Sequence, residues 1–289
     1  MNPGRRIKGP RRSGRGMYEL AVVTFLDILG FRELVAGSPP EEVDRKLQAL
    51  ERFTKPQEDV GDDIAAEMEP KALQFSDTIV RVRRVETAAN LRYPVGLVFH
   101  ELLDLLHAQA ELIQERVLLR GGVSIGQIRM SGARLFGPGL ISAYDLESRY
   151  AIYPRIVVAP ALIGELKSNR LLRALHHAVE DEAESVRNLL SLADDGLWYV
   201  DYVRAIPSEL DEPSMYLDFL SMHRDLIISG ARESRPGTSK MSKYVWLAHY
   251  HNAAIHGLSG GWLEQYGARR DDLLISSDDV SDLQYLPAV

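Results

Sequence analysis

Apolar residues run almost unbroken from Tyr18 to Ile28, the pattern of a central strand buried on both faces. Phe31 to Ala36 begins a helix or turn. Ser38-Pro39-Pro40-Glu41-Glu42 then reads as a helix start, with a cap residue, prolines in the first turn and acids behind them, and the helix extends to about Phe53. Gln57 to Glu69 is acidic and polar, which predicts a loop. Pro70 to Glu86 offers two short strands around Ser76-Asp77, the pattern of a hairpin with Asp77 near its bend. Leu97, Leu102, Leu105, Leu106, Leu112 and Ile113 recur at helical spacing and predict an amphipathic helix between Val95 and Leu118. Leu119 to Met130 reads as another strand. Leu135 to Gly139 reads as a turn, Leu140 to Arg149 as a helix, and Arg155 to Ala159 as a further strand.

The predicted order is therefore β-α-β-β-α-β followed by a short helix and a strand, the order of a ferredoxin-like split arrangement in an α+β fold. From Pro160 onward helices dominate, with one strand-like run from Leu197 to Val203. This divides the chain into a basic N-terminal arm (1–16), a core (17–165) and a mainly helical extension (166–289) packed on that core.

Two aspartates stand out against this pattern. Asp27 in AVVTFLDILGF and Asp77 in ALQFSDTIVRV each close an apolar strand-like run. A carboxylate there is costly unless it is hydrogen-bonded or holds a cation. Two such groups on neighbouring strands suit a two-metal phosphoryl-transfer site. Gly30-Phe31 after the first aspartate allows a sharp turn that aims backbone amides at phosphates.

Composition narrows the classes. The chain has 289 residues, 45% hydrophobic and 26% charged, as expected of an ordinary globular protein. No stretch approaches the ~20 apolar residues of a membrane helix. There is no cysteine, which removes disulfides, thiolate nucleophiles and cysteine zinc sites, and fits a reducing cytosol. Net charge is −7, yet the first sixteen residues are basic; they read as a disordered tail, with Met17 an alternative start.

With these residues in view, FLDILGF resembles the first metal motif of the class III nucleotide cyclases. QFSDTIV occupies the place of their second metal aspartate, LRGGVSIGQI resembles their glycine-bearing strand, and LFGPGLISAYDLES resembles the turn and helix after it. The matches fall in order over roughly residues 18–160. The divergence, and the helical extension ending in KYVWLAHYHN, look most like the pyrimidine nucleotide cyclases of bacterial Pycsar anti-phage systems.

The resemblance implies two divalent cations, Mn²⁺ or Mg²⁺, held by Asp27, Asp77 and the carbonyl of Ile28. It implies a triphosphate cradle at Ile28, Leu29, Gly30, Phe31 and Arg32. It further implies a homodimer with its sites at the interface, a cytoplasmic bacterial setting, and an effector protein that responds to the cyclic product. Neither a membrane nor a nucleic acid is expected as partner. Base-reading positions fall on Lys71 and Arg134, whose two cationic donors suit the carbonyl edge of uracil, so that UTP is favoured over CTP; Phe25 would narrow the pocket.

One departure concerns the transition-state Asn and Arg of the purine cyclases. Their positions fall on Ile141 and Asp145, which cannot act alike. Arg32, Arg120 and Arg149 are candidate replacements; otherwise the chain is a slow or inactive cyclase-like module that binds a nucleotide as a sensor. Another two-metal enzyme on a palm-like fold is a further alternative.

Other motifs point elsewhere. His249, His251 and His256 do not share one helix face. Trp246, Leu247 and Tyr250 read as helix packing. Ser124 lacks the spacing of a nucleophile elbow.

Overall fold

The computed structural model describes residues 18–53, 70–87, 96–174 and 178–283. The basic arm expected at 1–16, the loop expected at Gln57 to Glu69, and His176-His177 lie outside the described residues.

In chain order the first elements are β1 (Glu19–Ile28), α1 (Phe31–Gly37), α2 (Pro40–Glu51), β2 (Lys71–Phe75), β3 (Thr78–Arg84), α3 (Leu97–Gln114), β4 (Leu119–Ser131), β5 (Arg134–Phe136) and α4 (Pro138–Asp145). A π-helical turn (Leu146–Tyr150) follows α4. Then come β6 (Ile156–Val158), α5 (Pro160–Ser168), α6 (Val179–Arg187), β7 (Leu190–Leu192), β8 (Trp198–Val200), α7 (Tyr202–Ala205), α8 (Pro213–Arg232), α9 (Ser239–Gly257), α10 (Gly260–Gln265) and α11 (Arg270–Leu273). Helices pack on a mixed sheet, as an α+β fold requires.

The sheet order is β2-β3-β1-β4-β6-β8-β7, with β5 paired to β4 alone. β3 lies between β1 and β2 and runs antiparallel to both, splitting a parallel pair. β4 runs antiparallel to β1 and parallel to β6. Strands from both sides of residue 165 therefore share one sheet.

Several local expectations shift. Ser38 ends α1, its N–H bonding the Leu34 carbonyl, and Pro39 takes the cap position of α2. Two consecutive prolines force extended backbone before them, which separates the helices. The segment read as a turn contributes β5, because Arg134 to Phe136 pair back onto β4. The run from Leu197 shortens to β8, and β7, too short to show a period, pairs beside it.

Strand alternation gives the sheet two faces. Val22, Leu26 and Ile28 of β1 and Ile79 of β3 face α3, where Leu102, Leu105, Leu106 and Leu112 are fully or almost fully buried. Beneath α3, Glu101 is buried among Arg81, Arg83 and Thr24: Arg83 Nε stands 2.6 Å and Arg81 Nε 3.0 Å from its carboxylate, and Thr24 donates at 2.6 Å. The two guanidiniums hold this carboxyl down to about pH 2 despite burial.

The opposite face carries Ala21, Val23, Phe25, Val80, Val82 and Ile128 under α4. Two glycines of β4 make that packing possible. A Cβ at Gly126 would lie 2.7 Å from Gly139 Cα, and one at Gly122 would lie 2.4 Å from the Ala143 carbonyl. The glycine spacing of LRGGVSIGQI thus answers to the helix crossing over it, and Ser124 binds the same helix by donating to Gly139 O at 2.8 Å.

In the C-terminal part, α8 and α9 pack together around aromatic residues. Trp246, Leu247 and Tyr250 are buried, with Trp246 stacked on Tyr153 at 5.3 Å. Tyr250 donates to Asp201 at 2.6 Å. No described helix is long and apolar enough to cross a membrane.

Candidate functional site

Pairing register brings the site together. Asp27 lies opposite Thr78 on β3 and opposite Arg120 on β4. Residues facing each other across strands point the same way, so Asp27 and Arg120 share the face that carries Phe25. The hairpin between β2 and β3 is the two-residue turn Ser76-Asp77, and the Asp77 carbonyl accepts from Ile28 N at 3.3 Å. Ser76 adopts a left-handed backbone (φ 56°) immediately before Asp77. For a residue other than glycine that conformation costs about 1–2 kcal/mol, an expense that concentrates at functional positions.

Asp27 is about four-fifths buried, its side chain 18% exposed. Arg120 approaches it with Nη2 at 3.0 Å and Nε at 3.1 Å, both donating to the same carboxylate oxygen. The same guanidinium lies 2.7 Å from Glu147, a buried residue that the π-helical turn after α4 presses against the sheet. Burial raises the Asp27 carboxyl above its usual range and Arg120 pulls it back. Asp77 raises it further through like charge. Glu147 is also raised, chiefly by burial, against the pull of Arg120.

The described site is thus Arg120 between the Asp27 and Glu147 carboxyls, with Asp77 near both acids. Asp27 and Asp77 lie near each other, and Arg120 pairs with Asp27. Glu147 carries no sequence signal: nothing in AYDLESRY distinguishes it from a solvent-facing helical glutamate, because the widened turn that buries it has no clear signature.

Other expected residues lie apart within the chain. Arg149 pairs with Asp145 at 3.4 Å and is exposed, and Arg32 is exposed on α1. The cradle also contracts. Ile28 N is committed to Asp77 O, and Leu29 N donates to Leu118 O at 2.8 Å. Neither amide is left for a phosphate, because continuing the β1–β3 edge consumes the first and continuing the β1–β4 pairing consumes the second. This leaves Gly30, Phe31 and Arg32, with Gly30 at φ 79° supplying the bend.

Lys71 and Arg134 are both exposed. Lys71 faces Val82, on the same sheet face as Asp27 but on the edge strand. Arg134 faces Ser131, at the far end of β4 from Arg120. Phe25 meets Tyr144 of α4 edge-on at 5.3 Å.

The histidines form no joint site. His251 is buried with Nδ1 3.0 Å from His223 Nδ1 and Nε2 2.9 Å from Leu273 O, whereas His249 reaches Leu283 O. Among the described residues, no group of three or more His, Asp or Glu side chains converges as a metal cage. The donor set at Asp27 and Asp77 is smaller: two carboxylates that repel each other, with the Ile28 backbone beside them. Hard oxygen donors held close under mutual repulsion are the chemistry that a divalent cation satisfies, and Arg120 balances their charge in its place. No protein-family model matches the chain, and no curated protein sequence matches it.

Proposed function

We propose that the chain is a nucleotide cyclase of the class III type that converts a pyrimidine nucleoside triphosphate, UTP in preference to CTP, to its 3′,5′-cyclic monophosphate and pyrophosphate. The observation that carries this reading is the meeting of the Asp27 and Asp77 carboxyls at the ends of paired strands, beside the Gly30 turn. The split order β2-β3-β1-β4, with α4 crossing over β4, agrees with the ferredoxin-like core that the resemblance implies.

Asp27, Asp77 and the Ile28 carbonyl would hold two Mg²⁺ or Mn²⁺ ions, whose charge lowers the pKa of the ribose 3′-hydroxyl and offsets that of the triphosphate when bound. The 3′-oxygen forms its new bond to the α-phosphorus as the bond to the bridging oxygen breaks, and the electron pair leaves with pyrophosphate. Phe25 lies along the face that the base would occupy.

A homodimer accounts for the positions of Lys71 and Arg134, which lie outside the Asp27 cluster of their own chain and would serve the partner's site. The face needed for that contact carries exposed apolar side chains. Phe75 is 85% exposed, Ile141 62% and Tyr144 50%, beside Phe25 and Val80. In this reading the enzyme works in the bacterial cytoplasm, and its cyclic product acts on a separate effector protein in anti-phage defence.

Incubation with each of the four NTPs and Mn²⁺, with products resolved by mass, tests the proposal. Cyclic UMP is expected, with less cyclic CMP. Absence of any cyclic nucleotide refutes the enzyme. One observation favours a nucleotide-binding sensor instead: the Arg120 guanidinium stands on the Asp27 carboxylate, where a cation would bind. Nucleotide binding without turnover in the same assay would select that alternative, and a linked dinucleotide or extended strand would select a palm-fold enzyme.

A further inference from the structure

A cleft of about 540 Å³ opens beside the Asp27 cluster, between the Gly30 turn and the two long C-terminal helices α8 and α9. Its lining includes Ile28, Gly30 and Glu33 from the core, and Lys240 and Lys243 from α9. Lys46 and Arg116 also line it, but both are engaged: Lys46 Nζ donates to the Glu115 carbonyl at 2.7 Å, and Arg116 donates to Ser229. Two further acids, Glu42 and Glu233, complete the charged lining.

Lys243 differs from the other cations. It is half-buried and makes no ion pair among the described residues. It nevertheless lies near enough to Arg120, Glu33 and Asp27 to feel the charge of all three. A partly desolvated ammonium without a partner is unfavourable until an anion arrives. Its position is set by close helix packing, since a Cβ at Gly230 of α8 would lie 2.2 Å from the Tyr244 ring next to Lys243. That contact seats α9 against α8 and turns Lys243 toward the core.

We infer that this cleft receives the polyphosphate arm of the nucleotide, with Lys243 contacting the departing pyrophosphate and Lys240 standing at the mouth. The inference rests on the nucleotide reading. With the α-phosphate at Asp27 and Asp77, the arm passes the Gly30 bend, and the cleft begins there. The charge that Ile141 and Asp145 cannot supply then comes from the C-terminal extension of the same chain. As the bond between the α-phosphorus and the bridging oxygen breaks, the negative charge that grows on that oxygen is met by the Lys243 ammonium, and the 3′-hydroxyl proton passes to water.

Calorimetric titration of the full chain with inorganic tripolyphosphate and Mg²⁺, alongside turnover of UTP, tests this. Lys243→Gln should weaken tripolyphosphate binding by about tenfold or more, as expected for loss of one charge-assisted contact. Lys243→Arg should restore most of it, which a merely structural role would not produce. Lys240→Gln, at an exposed position, should weaken binding by about threefold without disturbing the fold. Binding by both glutamine variants within twofold of the parent overturns the inference, even if cyclic UMP is still made. So does a parent that does not bind tripolyphosphate. Lysine-dependent binding without any cyclic product would instead uphold the cleft and refute the cyclase reading. If Lys243→Gln does not fold, unchanged binding in Lys240→Gln overturns the inference.

Discussion

Arg120 and Asp27 face each other in register across β4 and β1, and the guanidinium donates twice to one carboxylate oxygen, at 3.0 and 3.1 Å. A second carboxylate, Glu147, stands 2.7 Å from the same guanidinium. Arg120 is thus the internal counter-ion of the carboxyl cluster, occupying a side of Asp27 that a bound cation would share.

Arg120→Met removes that counter-charge and leaves Asp27, Asp77 and Glu147 to repel one another. Breaking a buried pair costs about 3–5 kcal/mol, and partial exposure of Arg120 brings the expected loss to about 2 kcal/mol. Millimolar Mn²⁺ should recover much of that loss in thermal denaturation, because a cation then takes the vacated role. Equal melting temperatures with and without Mn²⁺ would refute cation binding at this cluster.

Asp27→Asn should abolish cyclic-nucleotide formation and yet raise stability at pH 7 by about 1 kcal/mol, ~2 °C in melting temperature. The folded carboxyl is raised above its ordinary value, mainly by burial. Its contribution is therefore complete below the unfolded value and is lost as pH rises through the folded one. The advantage of the asparagine variant should accordingly vanish below about pH 4. Melting curves from pH 3.5 to 8 check the sign; a variant less stable than the parent at pH 7 would contradict it.

Glu101→Gln breaks the buried network of Arg81, Arg83 and Thr24 and should cost about 3–5 kcal/mol. The folded Glu101 carboxyl lies at about 2, below its unfolded value. The stabilisation it provides is present above the unfolded carboxylate range and is lost as pH falls toward 2. Urea midpoints should fall for the parent over that interval and change little for the variant.

Gly122→Ala places a methyl against the Ala143 carbonyl and the Leu146 side chain. Overpacking of this kind costs about 1–3 kcal/mol. Because α4 leads directly into the turn bearing Glu147, displacement of the helix should also lower turnover more than the stability loss explains. Comparing kcat with the folded fraction at one temperature separates the two effects. Turnover that tracks the folded fraction would show that α4 only packs.

β1 and the position of Asp27 at its end were legible because an apolar strand has a local signature and a charge at its terminus interrupts it. The β2–β3 hairpin was legible for the same reason, as was α3 from its leucine spacing. Ser38 reads as a helix start but ends α1, because a cap residue before two prolines looks the same in either role. Leu29 falls within the expected phosphate cradle because sequence does not reveal that its amide is already bonded to Leu118.

The sequence by itself determined the order of elements from β1 to β4 and the two carboxylates beside strand ends, since both depend on neighbours within a few residues. Only the tertiary structure decided which charges meet there. Register across β1 and β4 set Arg120 on Asp27, and a widened helical turn buried Glu147 beside them. The packing of α9 on α8 through Gly230 and Tyr244 carried Lys243 to the edge of the site. Each of these meetings joins residues distant in the chain, and its energy comes from burial and charge that do not exist until the chain has folded.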